Sequence, residues 1–69
     1  MVEIFKTNVR KKADAIYIIN FLKNLFPDYK INFDLEDCDK ILRVEAVKID
    51  SINIVESLNY MGFLCVEFE

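Results

Sequence analysis

The chain predicts an α+β sandwich in which two helices cover one face of a four-stranded antiparallel sheet. Three observations lead there. Four short segments alternate apolar with polar residues or are rich in β-branched and aromatic ones. Two longer segments repeat apolar residues at helical spacing, and the six fall in the order strand, helix, strand, strand, helix, strand. With right-handed crossovers, that order has one common compact solution, the ferredoxin-like βαββαβ sandwich.

The first strand is read over Val2 to Val9, where β-branched and aromatic residues cluster. From Arg10 to Phe26 the period changes: Ala15, Ile18, Leu22 and Leu25 share one helical face, which Phe21 widens. Asn8, or the pair Thr7-Asn8, is the expected cap of this helix, and Pro27 stops it because it has no N–H and cannot continue the ladder. Ile31, Phe33 and Leu35 then alternate with Asn32, Asp34 and Glu36 as a half-buried strand. Glu36-Asp37-Cys38-Asp39-Lys40 is a polar turn, and Leu42, Val44 and Ala46 alternate with Arg43 and Glu45 to complete a hairpin. Asp50 or Ser51 caps the second helix, whose inner stripe is Ile54, Val55, Leu58 and Met61. Gly62 stands where a left-handed residue closes a helix. Phe63 to Glu69 forms the last strand, with Leu64, Val66 and Phe68 together on one face. The opposite sheet face is then expected to show Asn32, Asp34, Arg43, Glu45, Cys65 and Glu67, a mostly polar surface.

Sixty-nine residues suffice for one domain, residues 1–69, and not for a second core. One Gly and one Pro leave little scope for long loops, and 54% hydrophobic residues exclude a disordered chain. A net charge of −3 opposes nucleic acid as a partner, since tracking phosphates requires an excess of Lys and Arg. No apolar run approaches the ~18 residues of a membrane span, and the first apolar group reads as a strand, not as the core of a signal peptide. Two distant cysteines do not make a secreted disulfide framework, so the expectation is a reduced, cytoplasmic protein.

Three segments carry a resemblance to a known family. They are Phe5-Lys6-Thr7-Asn8-Val9 at the end of the first strand, Asp39-Lys40-Ile41-Leu42-Arg43-Val44-Glu45 opening the third, and Gly62-Phe63 before the last. With length and element order, they make nearly the whole chain similar to the heavy-metal-associated domains of copper-chaperone type. That family carries an aliphatic-x-Cys-x-x-Cys signature at the mouth of the first helix, and its aliphatic position matches Val9. The resemblance then puts the two cysteine positions on Lys11 and Asp14. A thiolate pair there suits Cu(I), whereas protonated Lys11 offers only donors and Asp14 is a hard oxygen ligand. The expected consequence is a degenerate member without a cofactor or the family's metal site.

The remaining soft-ligand candidates are Cys38, Cys65 and Met61, which define an alternative reading as a Cu(I)-type carrier with relocated ligands. In the inferred strand order the two cysteines lie several spacings of ~4.8 Å apart, beyond disulfide reach. The ordinary account of each is a small structural residue. Arg10, Lys11 and Lys12 at a helix N-terminus, with Lys6 nearby, could receive an anion on free N–H groups. A solvated charged loop, with Lys11 and Asp14 paired at i and i+3, is the plainer account.

Catalysis finds little footing. The chain has no His, no Gly-rich phosphate loop and no nucleophile elbow. Asp34, Glu36, Asp37 and Asp39 read as a solvated strand edge and turn, without the cleft that paired-carboxylate chemistry needs. The first helix is more informative, because Ile16, Tyr17, Ile19 and Phe26 lie outside its inner stripe. Several apolar residues left together on a surface mark an interface. Ile16, Tyr17, Ile19 and Phe63, with Ile52 and Tyr60 on the second helix extending the surface, are the interface candidates for a protein partner or a second copy. The expectation is a non-enzymatic interaction module.

Overall fold

The computed structural model describes residues 1–36 and 38–68. Six elements follow the anticipated order: β1 (Val2–Thr7), α1 (Lys12–Leu25), β2 (Lys30–Asp34), β3 (Ile41–Glu45), α2 (Ser51–Tyr60) and β4 (Cys65–Glu67). The strands form one sheet in the order β2-β3-β1-β4, with every neighbouring pair antiparallel. This is the ferredoxin-like fold. Opposite residues run Phe33–Leu42–Phe5–Glu67 across all four strands, which sets the pleat for the whole sheet.

The core lies between the sheet and the helices. Phe5, Val9, Ile18, Leu22, Leu42, Val44, Ile54 and Leu58 are fully buried there. Ala15, Ile18 and Leu22 point inward from α1, as their spacing requires, while Leu25, expected on the same stripe, is half exposed. The helix ends at Leu25, so this residue has no following turn to hold it against the sheet. Phe26 takes over: it is partly buried and stacks on Tyr29 with ring centroids 4.4 Å apart. The Tyr29 hydroxyl oxygen accepts the Asp50 N–H at 2.8 Å, which ties the end of α1 to the start of α2.

The two helix starts differ. Asp50 caps α2 as expected, its Oδ1 accepting the Asn53 N–H at 3.1 Å. Asn8 does not cap α1. That position falls to Lys11, whose side chain makes no capping bond, while the Asn8 Oδ1 accepts the Leu64 N–H at 2.9 Å. Thr7 is also committed elsewhere, its Oγ1 donating to the Lys40 carbonyl at 2.7 Å and accepting the Val9 N–H at 3.2 Å. Both side chains fasten the end of β1 to its neighbours instead of starting a helix.

The last strand faces the other way from its expected placement. Cys65 is buried, and Leu64, Val66 and Phe68 are exposed. The cause is the turn before it. Gly62 adopts φ +93°, the Gly62 N–H donates to the Asn59 carbonyl, and the Phe63 N–H donates to the Leu58 carbonyl. This pair of bonds is a Schellman closure, which draws Phe63 toward Leu58 and the core. Once Phe63 turns inward, alternation carries Cys65 inward and puts Leu64, Val66 and Phe68 on the open face.

Candidate functional site

The loop between β1 and α1 is held by its side chains' backbone bonds and by the fully buried Val9. Beyond that anchor, Arg10, Lys11 and Lys12 are all exposed. Lys11 has extended backbone (φ −95°, ψ 135°), and Asp14 sits in the first turn of α1. Among the described residues no ion pair joins Lys11 to Asp14; a salt bridge joins Arg43 to Glu45 at 3.9 Å, on the open sheet face. Lys6 lies on that face too, its Nζ 4.7 Å from the centre of the Phe68 ring. It is therefore turned away from the α1 mouth that it was expected to reinforce.

The soft-ligand candidates differ in exposure. Cys38 is exposed in the β2–β3 turn, Cys65 is buried against the helices and Met61 is partly buried at the end of α2. Burial pushes the Cys65 thiol up to about 12, so its thiolate, the form that binds metal, is strongly disfavoured. Among the described residues no three Cys, Asp or Glu side chains gather as a metal group. Asp37, one of the turn's carboxylates considered above, lies outside the described residues. No described helix is long and apolar enough to cross a membrane.

The interface candidates separate by burial. Ile16 and Tyr17 are 51% and 61% exposed. Ile19 and Phe63 are partly buried against the core, and Ile52 and Tyr60 stand out from α2. Ile16 and Ile19 line a groove of about 370 Å³ between α1 and β2, together with Lys12, Ala15, Asn32, Phe33 and Leu35. Its floor is apolar, and Lys12 puts a cation on its rim. Phe33 and Leu35 were legible as a strand's inner face, but their proximity to Ile16 depends on how α1 crosses β2. A second apolar surface, not anticipated, is the row Leu64, Val66 and Phe68, 68%, 63% and 45% exposed, on and beside the edge strand β4.

Comparison with family models, with curated proteins and with solved structures returns no match to this chain.

Proposed function

We propose that this chain is a non-enzymatic protein-interaction module whose α1–β2 groove receives an apolar segment of a partner polypeptide. The observation that carries the reading is the groove itself. Ile16 is half exposed beside the partly buried Ile19, Phe33 and Leu35, so one surface offers several apolar contacts at once. Lys12 on the rim, with the exposed Lys11 and Arg10 next to it, favours a segment flanked by acidic residues. The resemblance to heavy-metal-associated domains fits a fold that keeps its docking surfaces after losing two thiolates.

Site-specific photo-crosslinking tests this. A photoreactive residue at Ile16 is expected to capture one defined partner, whereas the same residue at the exposed Asn24 is not. Lys12→Glu should reduce the Ile16 adduct severalfold by reversing the rim charge. Equal capture at the two positions, or an adduct indifferent to both Lys12→Glu and Ile19→Ser, would sink the proposal.

A further inference from the structure

We infer that the α1–β2 groove takes its occupant as a fifth strand, antiparallel to β2, and that this segment carries an acidic residue followed at two-residue steps by two apolar ones. The inference rests on the groove reading above and adds the conformation, direction and sequence pattern of the segment received.

The backbone of β2 sets the first condition. β2 ends the sheet and pairs with β3. The Ala46 N–H donates to the Met1 carbonyl and the Thr7 N–H to the Lys40 carbonyl, so even-numbered positions through β3 bond toward β1. Alternation turns the odd-numbered Ile41, Arg43 and Glu45 toward β2, opposite Asp34, Asn32 and Lys30. The N–H and C=O groups of Ile31 and Phe33 are therefore directed outward, along the sheet edge. This ladder is bounded at both ends. The Tyr29 N–H is given to the Phe26 carbonyl, and the Leu35 carbonyl accepts from Lys40 Nζ at 2.9 Å. Two rungs remain between them.

Antiparallel addition uses both rungs fully. A residue opposite Phe33 and another opposite Ile31 each exchange two hydrogen bonds, and directly opposed side chains share one face of the sheet. For Ile31 and Phe33 that face is the helix side, since Ile31 is buried and Phe33 packs against the core. The two added side chains thus enter the groove beside Ile16 and Ile19, while the residue between them, opposite Asn32, turns to the open face. Main-chain bonds supply the affinity in such an addition, and the groove selects the alternate side chains. A helix lying in the same groove would leave both rungs unused.

Charge sets the direction. Thr7 Oγ1 donates to the Lys40 carbonyl and Lys40 Nζ to the Leu35 carbonyl, so the approach to α1 and the end of β2 lie at one end of the sheet. Lys12 lines the groove at that end, with the exposed Arg10 and Lys11 next to it. An antiparallel segment enters there, so its acidic residue precedes the apolar pair and falls opposite Leu35.

The test uses isotope-labelled protein and a synthetic peptide, acetyl-Glu-Glu-Thr-Val-Thr-Ile-Thr-amide. Amide hydrogen exchange by NMR is expected to find Ile31 and Phe33 fast in the free chain and Asn32 slow, and saturating peptide should slow the first two at least tenfold. Methylating the backbone nitrogen of the peptide's Val, which faces Phe33, should weaken binding at least tenfold. Methylating that of the Thr between Val and Ile, whose N–H points away, should change binding by no more than about threefold. Reversing the order of the peptide should weaken it severalfold. Binding indifferent to both methylations, or without slowing at Ile31 and Phe33, overturns strand addition, and so does no binding at millimolar peptide. The groove reading is judged separately, since its Ile16 adduct survives any of these results if an apolar segment docks in another conformation. Protection of Ile31 and Phe33 that is present in the free chain and lapses on dilution would mean that a second copy fills the edge, which overturns the assignment to a partner.

Discussion

Alkylation of the two cysteines probes the reversed face of β4 directly. If Cys65 faces the helices, its thiol is both shielded, with 5% of its surface exposed, and held protonated, its pKa pushed up to about 12 by burial. An unperturbed thiol titrates near ~8.5, so at about pH 8 roughly a quarter of it is thiolate. For Cys65 the fraction is on the order of one in ten thousand, a deficit of about three powers of ten before shielding is counted. A pulse of iodoacetamide on native protein, quenched, digested and read by mass spectrometry, should therefore label exposed Cys38 promptly and leave Cys65 untouched. Urea should bring Cys65 level with Cys38. Native labelling of Cys65 within tenfold of its unfolded rate would refute the burial argument, and with it the assignment of Leu64, Val66 and Phe68 to the open face.

The same thiol links stability to pH. The unfolded chain loses this proton near ~8.5, whereas the folded chain keeps it to about 12, so between those values the folded state binds more protons. Stability then falls as pH rises, by up to ~1.4 kcal/mol per pH unit, and this contribution is flat below about pH 8. Cys65→Ala should remove that part of the slope, which denaturant melts at about pH 9 and 10 would resolve. An identical slope in the variant would mean that the thiol is not buried.

Further substitutions test the framework. Tyr29→Phe keeps the stack on Phe26 but orphans the Asp50 N–H, a loss of about 1 kcal/mol in urea melts. Asp50→Ala removes the α2 cap for a similar cost, about 1 kcal/mol, and the double variant should be non-additive because both changes act on one helix start. Gly62→Ala meets no heavy atom within 4 Å, so its cost of about 1–2 kcal/mol comes from the left-handed backbone alone, and Gly62→Asn should recover part of it. Finally, the pair Lys11→Cys and Asp14→Cys should bind Cu(I) against a competing chelator more tightly than the natural chain does. A folded double variant with no such binding would detach this loop from the heavy-metal-associated pattern.

What the sequence made legible, and what it hid, follows from how local each determinant is. Element order needs only periodicity, so the sheet and both helices could be read from Ala15-Ile18-Leu22, Ile54-Leu58 and the alternating strands. The α2 cap was legible to within one residue, Asp50 or Ser51, because it bonds three residues away, within its own helix. Asn8 looked equally suited to capping, but its acceptor is claimed by Leu64, 56 residues on, and no local rule contains that competition. The groove shares this limit, since Ile16 meets Phe33 only through the crossing of α1 and β2.

The last strand is the instructive failure, because both of its faces look tolerable indoors. Leu64-Val66-Phe68 is the more apolar set, and transfer energies alone would bury it in place of Phe63-Cys65-Glu67. The closure at Gly62 decides otherwise: with the Phe63 N–H fixed to Leu58, the chain enters β4 with Phe63 already inward, and alternation allows no correction within three residues. Burying the more apolar set would mean giving up that closure or slipping the Thr7–Cys65 register, which the Asn8 bond to Leu64 also holds. A monomer therefore leaves hydrophobic surface exposed that its own turn prevents it from covering. The same turn that buries the Cys65 thiol leaves Leu64, Val66 and Phe68 exposed along the edge of the sheet.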